Sequence, residues 1–139
     1  MASDETERLL DEIGRLLGQD RDCPRHDTLL YAELDHDMIG ESIFKDLDDR
    51  VLYRRPVIPD LPYALHDLWK AQTGTERWME MEYLLRDGRF EVVYFHPDAI
   101  DPDTDLVERR ARSGLRHFGP MPIIYPPWTC EPHELDYDQ

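Results

Sequence analysis

The sequence predicts an α+β fold: an antiparallel sheet of four to five strands with about three helices packed mainly on one face. Three observations lead to this prediction. Asp87-Gly88 separates two runs of aromatic and β-branched residues, which is typical of a β-hairpin. Three shorter runs that precede the hairpin have the composition of strands. Three other segments repeat apolar residues at helical spacing, so they can cover the sheet.

Length and charge limit the possible classes of protein. The 139 residues suffice for one domain, 1–139, and we find neither an internal repeat nor a linker. The net charge of −15 repels nucleic acid and anionic membranes and attracts cationic proteins. The start of the chain is acidic, unlike a signal peptide, and no apolar run approaches the ~20 residues of a membrane span. We therefore expect a cytoplasmic protein with free thiols at Cys23 and Cys130.

The N-terminal half reads as a helix, three strands and a second helix. The first helix has Asp4 and Glu7 at capping-box spacing and ends at Gly18, while Gly14 weakens it by about 1 kcal/mol relative to alanine. Asp60 is the expected cap of the second helix. The predicted elements are a helix over 4–18, strands over 28–34, 38–47 and 51–55, and a helix over 60–72.

The central hairpin occupies residues 76–97. Asp87-Gly88 tolerates the positive φ angles of a type I′ turn, and this turn fixes the register of the two strands. The apolar face pairs Leu85 with Phe90, Tyr83 with Val92, and Met81 with Tyr94. The opposite, mixed face pairs Leu84 with Glu91, Glu82 with Val93, and Glu80 with Phe95.

An acidic loop, 97–105, leads into a third helix over about 104–118. Asp105 and Glu108 have capping-box spacing, and Gly119-Pro120 ends the helix. A proline-rich acidic tail, 120–139, is expected to run extended over the surface. The helix has an apolar stripe of Val107, Ala111, Leu115 and Phe118, and a basic face of Arg109, Arg110, Arg112 and Arg116. We expect these arginines to pair with neighbouring acids rather than to bind nucleic acid.

The sequence offers few candidates for catalysis or metal binding. Segment 35–37, Asp-His-Asp, directs its histidine away from both aspartates if it is a strand. Segment 101–112 opens like a calcium loop, but Leu106 and Arg112 occupy the positions of the required glycine and glutamate. Motifs for a serine nucleophile, a P-loop, a dinucleotide or a zinc protease are missing from the sequence. We predict no enzyme activity, no catalytic residue, no cofactor and no metal.

The hairpin and the third helix together resemble the YezG-like immunity proteins. The resemblance rests on the strand from Trp78, the Asp87-Gly88-Arg89-Phe90 turn, the acidic loop, the Leu106-Val107-Glu108-Arg109-Arg110 run and Gly119. It covers roughly the second third of the chain. Segment 94–97 replaces the acidic and aromatic strand end of that family, and the proline-rich tail is not typical of it. The resemblance implies a small cytoplasmic antitoxin that neutralises the C-terminal domain of a secreted polymorphic or contact-dependent toxin, often a nuclease.

Charge and resemblance lead to the same functional expectation. A nuclease domain is basic because it holds phosphate, so an acidic inhibitor can be steered into its cleft and block it without chemistry. The alternative is a small enzyme or ligand-binding domain that uses His66, His96 or the acids. For the inhibitor we predict a toxin-binding surface with Trp78 as an aromatic anchor and six acids as contacts: Glu80, Glu82, Glu91, Asp98, Asp101 and Asp103.

Overall fold

The computed structural model describes residues 4–19, 27–35, 38–56, 58–72 and 77–126, and these ranges form an α+β fold as predicted. His36, Asp37, Cys23, Cys130 and the tail beyond residue 126 lie outside the described residues. The helices are α1 (Asp4–Leu17), α2 (Leu61–Lys70) and α3 (Leu106–Phe118), with a short 3₁₀ turn at Pro97–Ala99. The strands are β1 (Thr28–Leu34), β2 (Ile39–Asp46), β3 (Val51–Arg54), β4 (Glu80–Arg86), β5 (Arg89–Phe95) and β6 (Ile123–Ile124).

The strands form one sheet in the order β5-β4-β1-β2-β3-β6. All neighbours are antiparallel except β6, which runs parallel to β3. β1 lies inside the sheet, and each of its residues is buried. The sheet has one strand more than predicted because β6 contains only two residues, too few to show a period in the sequence.

The hairpin between β4 and β5 confirms the predicted register. Asp87 and Gly88 have φ angles of 54° and 75°, the left-handed values that a type I′ turn requires. All six predicted pairs are present, from Leu85 opposite Phe90 to Glu80 opposite Phe95. The turn therefore determines which side chains share each face of the sheet.

Helices cover both faces of the sheet. α1 and α2 pack on the face that carries Leu30, Ile43 and Tyr83, where they form the larger core. α3 packs on the opposite face against a smaller core around Tyr31 and Phe44. Two of the three described helices thus share one face, as expected. On the mixed face of the hairpin the β4 residues are buried, while Glu91 and Val93 of β5 stay exposed.

Gly14 allows α1 to approach the sheet closely. The Tyr83 hydroxyl donates a hydrogen bond to the Leu10 carbonyl oxygen over 2.7 Å and ties the helix to β4. A Cβ atom at position 14 would lie 2.7 Å from that hydroxyl oxygen. Glycine at position 14 therefore lowers the stability of the helix but leaves room for a buried hydrogen bond. Asp60 occupies the N-cap position of α2 as predicted, but its side chain makes no capping hydrogen bond.

Replacing Gly14 with alanine is expected to destabilise the protein by about 1–3 kcal/mol, although alanine favours a helix. The new methyl group meets the Tyr83 hydroxyl. Tyr83→Phe alone should cost about 1 kcal/mol, through loss of the hydrogen bond to Leu10. Chemical denaturation of both single variants and the double variant measures the coupling. We expect the double variant to be more stable than the sum of the single losses, and additive losses would contradict this explanation.

Candidate functional site

Three glutamates are buried on the sheet face beneath α3. Glu33 on β1 and Glu80 and Glu82 on β4 are only 2%, 5% and 1% exposed. Moving a carboxylate out of water costs several kcal/mol unless the charge is paired and hydrogen-bonded. Each glutamate meets an arginine of α3, and we refer to these pairs as the glutamate–arginine layer.

Glu80 bonds to side chains of two different elements, β1 and α3. Arg109 Nε donates to its Oε2 over 2.8 Å, and the Tyr31 hydroxyl donates to its Oε1. Arg109 also donates to the carbonyl oxygen of Thr104, which lies just before α3. The contacts of Arg109 therefore join the sheet, the helix and the loop that precedes the helix.

Glu33 is less completely paired. Arg110 Nε donates to its Oε1 over 3.2 Å, whereas its Oε2 has no hydrogen-bond partner among the described residues. Burial raises the pKa of Glu33, and Arg110 only partly opposes this shift. Gly40 provides space for the carboxylate, because a Cβ atom there would lie 2.5 Å from Oε2.

Glu82 accepts hydrogen bonds from three side chains of α3. Ser113 Oγ lies 2.8 Å from Oε2, His117 Nε2 lies 2.7 Å from Oε1, and Arg116 also donates to Oε2. Burial by itself raises the pKa of Glu82, but the bonds from Arg116, His117 and Ser113 outweigh it, so the pKa is lowered. Glu82 is therefore held as a buried carboxylate.

Polar side chains of α3 make its hydrogen bonds to the sheet, while Phe118 of the predicted apolar stripe packs in the smaller core as expected. Val107 is 64% exposed and Leu115 is 44% exposed, so the packing role predicted for these two residues is wrong. Burying either side chain is worth about 1.5–3 kcal/mol, less than the cost of breaking a buried ion pair. The predicted pairing of the arginines with acids is confirmed, with Arg112 bonded to Glu108 in its own helix.

Four residues of this region were not predicted from the sequence. Glu33 belongs to the layer, and Tyr31, Ser113 and His117 bond to its glutamates. Glu33 could have been noticed as a lone acid in an otherwise apolar strand. Ser113, Arg116 and His117 recur at the spacing of one helical face. Since β5, the 3₁₀ turn and a loop separate β4 from α3 along the chain, no local pattern indicates that Glu82 lies beneath this face.

A small cleft opens beside Glu80, between the 3₁₀ turn, α3 and β5. Its volume is about 130 Å³, and it is lined mainly by Tyr31, Glu80, Phe95, Asp101, Arg112 and Arg116. The Arg116 guanidinium carbon lies 5.4 Å from the centre of the Phe95 ring, within the range of a cation–π contact. His66 and His96 are absent from the lining of this cleft. His66 stacks on Trp69 in α2, and His96 is exposed just before the 3₁₀ turn.

The structure separates the predicted toxin contacts into two groups. Glu91, Asp98, Asp101 and Asp103 are exposed and remain available to a partner. Trp78, Glu80 and Glu82 are buried, so their assignment to the binding surface is corrected. Trp78 is 3% exposed, packs 5.2 Å from the Tyr94 ring, and accepts a hydrogen bond from Trp69 at its carbonyl oxygen.

We use the name acidic segment for the exposed acids from Asp98 to Glu108, which are Asp98, Asp101, Asp103, Asp105 and Glu108. Asp101 accepts hydrogen bonds from the Asp103 amide at 2.9 Å and the Thr104 hydroxyl at 3.1 Å, and these bonds lower its pKa. Asp105 caps α3 through the Glu108 amide at 2.8 Å, which confirms the predicted cap. The acidic segment therefore has a defined shape anchored to α3.

No family model matches this chain, and no curated protein matches it either. Among the described residues, no helix is long and apolar enough to cross a membrane. The same residues contain no group of three or more histidines, cysteines and acids placed to hold a metal ion.

Glu82→Gln is expected to lower the free energy of unfolding by about 2–4 kcal/mol at pH 7, because the change leaves Arg116 without its charged partner. Glu91→Gln, an exposed change on the same sheet face, should alter it by less than about 0.5 kcal/mol. Because the folded pKa of Glu82 is lowered, its stabilising contribution is present above its unfolded pKa and is lost as the pH falls through the folded value. Denaturation at pH 7 and in acid should show the wild type and Glu82→Gln converging; a constant difference would contradict this.

A fourth carboxyl, Glu41 on β2, has no arginine in hydrogen-bond contact within the part of the chain that the structure describes. Among the same residues its buried Oε2 has no hydrogen-bond partner. Burial raises the pKa of Glu41 to about 7, and the charge of Arg55 only partly opposes this shift. The ionised form therefore destabilises the folded state at neutral and higher pH.

Glu41→Gln is expected to stabilise the protein more at pH 8 than at pH 5, by about 1–3 kcal/mol. Because the pKa of Glu41 is raised in the folded state, the free-energy penalty on folding grows as the pH rises from the unfolded pKa of about 4.3 through the folded pKa. Glutamine removes this penalty. Denaturant titrations at the two pH values measure the difference. An equal effect at both would show that Glu41 does not titrate in this range.

Proposed function

We propose that this protein is a cytoplasmic immunity protein that binds and neutralises a basic toxin domain, with a nuclease as the expected type. The observation that carries the proposal is the acidic segment, which presents exposed carboxylates in a chain of net charge −15. The resemblance of the hairpin and α3 to YezG-like immunity proteins supports the same partner class.

The charges of this chain are distributed unequally between its interior and its surface. Arg109, Arg110 and Arg116 are engaged with the buried glutamates, so three of the 16 basic residues neutralise acids inside the protein. The acidic segment keeps exposed carboxylates at Asp98, Asp101 and Asp103. Such a surface attracts a cationic cleft that is built to hold phosphate.

Inhibition in this proposal is steric and electrostatic. The acidic segment occupies the phosphate-binding cleft of the toxin, and Glu91 on the adjacent strand extends the contact. No covalent bond is made or broken. Steering by opposite charge accelerates association, so the complex forms faster at low ionic strength than at high ionic strength.

The Asp98→Lys/Asp103→Lys variant is expected to weaken toxin binding about tenfold or more while folding normally. Both side chains are exposed and lie outside the hydrogen bonds that shape the acidic segment. Asp11→Lys/Asp67→Lys is the matched control, since it changes the charge equally on α1 and α2. The partner is first sought in the DNA that flanks this gene, as a secreted protein with a basic C-terminal domain, and the measurement is calorimetric titration with that domain. Equal weakening by both variants would show that only net charge matters.

The proposal as a whole is tested by growth. Expression of that neighbouring C-terminal domain alone should arrest a bacterial culture, and co-expression of this protein should restore growth. Failure to restore growth with a toxic domain would overturn the immunity function, whatever the charge variants do.

A ligand-binding role is the second candidate, and the cleft beside Glu80 is the observation that favours it. Arg112 and Arg116 at the cleft would select a small anion. The two candidates differ experimentally, because Asp98→Lys/Asp103→Lys removes charge from the acidic segment and leaves the polar groups that line the cleft in place.

A further inference from the structure

β5 is an open edge of the sheet. It is the first strand in the order, and within the described chain its only strand partner is β4. In a hairpin with a two-residue turn, Arg89, Glu91, Val93 and Phe95 exchange backbone hydrogen bonds with the neighbouring strand. The alternate residues Phe90, Val92 and Tyr94 therefore direct their backbone N–H and C=O groups away from β4.

Among the described residues, this edge has little of the usual protection against pairing. It contains no proline and no lysine, and five of its seven residues are aromatic residues or valine. Natural edge strands of this length and composition ordinarily carry charges, bulges or covers that prevent association. We propose that β5 pairs antiparallel with β5 of a second copy of this chain, forming a homodimer with one continuous sheet.

Two-fold symmetry about Val92 gives a register in which the strand complements itself. Val92 faces Val92 of the second copy, and Phe90 faces Tyr94, so aromatic and β-branched side chains meet on one face. On the other face Glu91 lies opposite Val93, which avoids direct contact between like charges. The outward backbone groups of Phe90, Val92 and Tyr94 then all find partners.

The charges near β5 favour a second copy over a basic partner at this edge. β5 itself is neutral, with one base at Arg89 and one acid at Glu91, in a chain of net charge −15. In this register Arg89 lies opposite Phe95 of the second copy, three residues before Asp98 in the 3₁₀ turn, whereas Arg86 already pairs with Asp27. Each end of the interface thus has one base and the start of the acidic segment. The observations behind this inference do not rest on the proposed function.

The test is sedimentation velocity of the full chain from micromolar to millimolar concentration. We expect a concentration-dependent species of twice the 16.5 kDa monomer mass. Val92→Pro removes the outward N–H at the two-fold axis without removing a hydrogen bond to β4, and should raise the dissociation constant about tenfold or more. A wild type that stays monomeric throughout would overturn the proposal, as would a dimer that a folded Val92→Pro variant leaves unchanged.

A charge exchange keeps the proposal testable if proline disturbs the fold. Arg89→Glu places an acid beside Asp98 of the second copy and should weaken the dimer, whereas Arg89→Glu/Asp98→Arg should restore it. Circular dichroism and thermal unfolding of each variant verify the fold. Dimerisation that is indifferent to both changes would show that the copies associate through another surface.

Discussion

The burial of three carboxylates beneath α3 is the constraint on which the arrangement of this face depends. A buried glutamate is tolerated only with a charged, hydrogen-bonded partner, so Glu33, Glu80 and Glu82 determine which side of α3 faces the sheet. The helix directs Arg109, Arg110 and Arg116 to the glutamates and leaves Val107 and Leu115 exposed. Gly114 lies buried beside Phe44, where an added Cβ atom would make an ordinary contact of 3.4 Å with the ring.

The same constraint affects the surface. Arginines that neutralise buried glutamates are not available to offset the acids outside, and the acidic segment keeps its negative field. The internal layer also fixes the position of that segment, because Arg109 bonds to both Glu80 and the carbonyl of Thr104. A core ion pair and a candidate binding surface are therefore linked through one side chain, and loss of Glu80 would affect both.

The hairpin and α3 show what the sequence could and could not predict. The register of β4 and β5 followed from Asp87-Gly88, because a two-residue turn and alternating side chains are local properties. The orientation of α3 did not follow, since its apolar stripe is a local pattern whereas its contact with Glu82 joins distant parts of the chain. Glu80 and Glu82 were placed on the correct sheet face for the same local reason, yet that face proved to be covered. Periodicity assigns side chains to a face, but it does not reveal what packs against that face.

The open edge and the acidic segment share one residue, and this makes the two proposed interactions depend on each other. Asp98 belongs to the acidic segment and follows the strand end that would lie opposite Arg89 of a second copy. A basic toxin that binds Asp98 competes with that arginine for the same carboxylate. Because linkage is reciprocal, the free energy that this contact contributes to the dimer is lost when the toxin binds Asp98. Toxin binding should therefore favour the monomer to the extent that the Asp98 contact stabilises the dimer. The two surfaces act independently only if that contact contributes nothing.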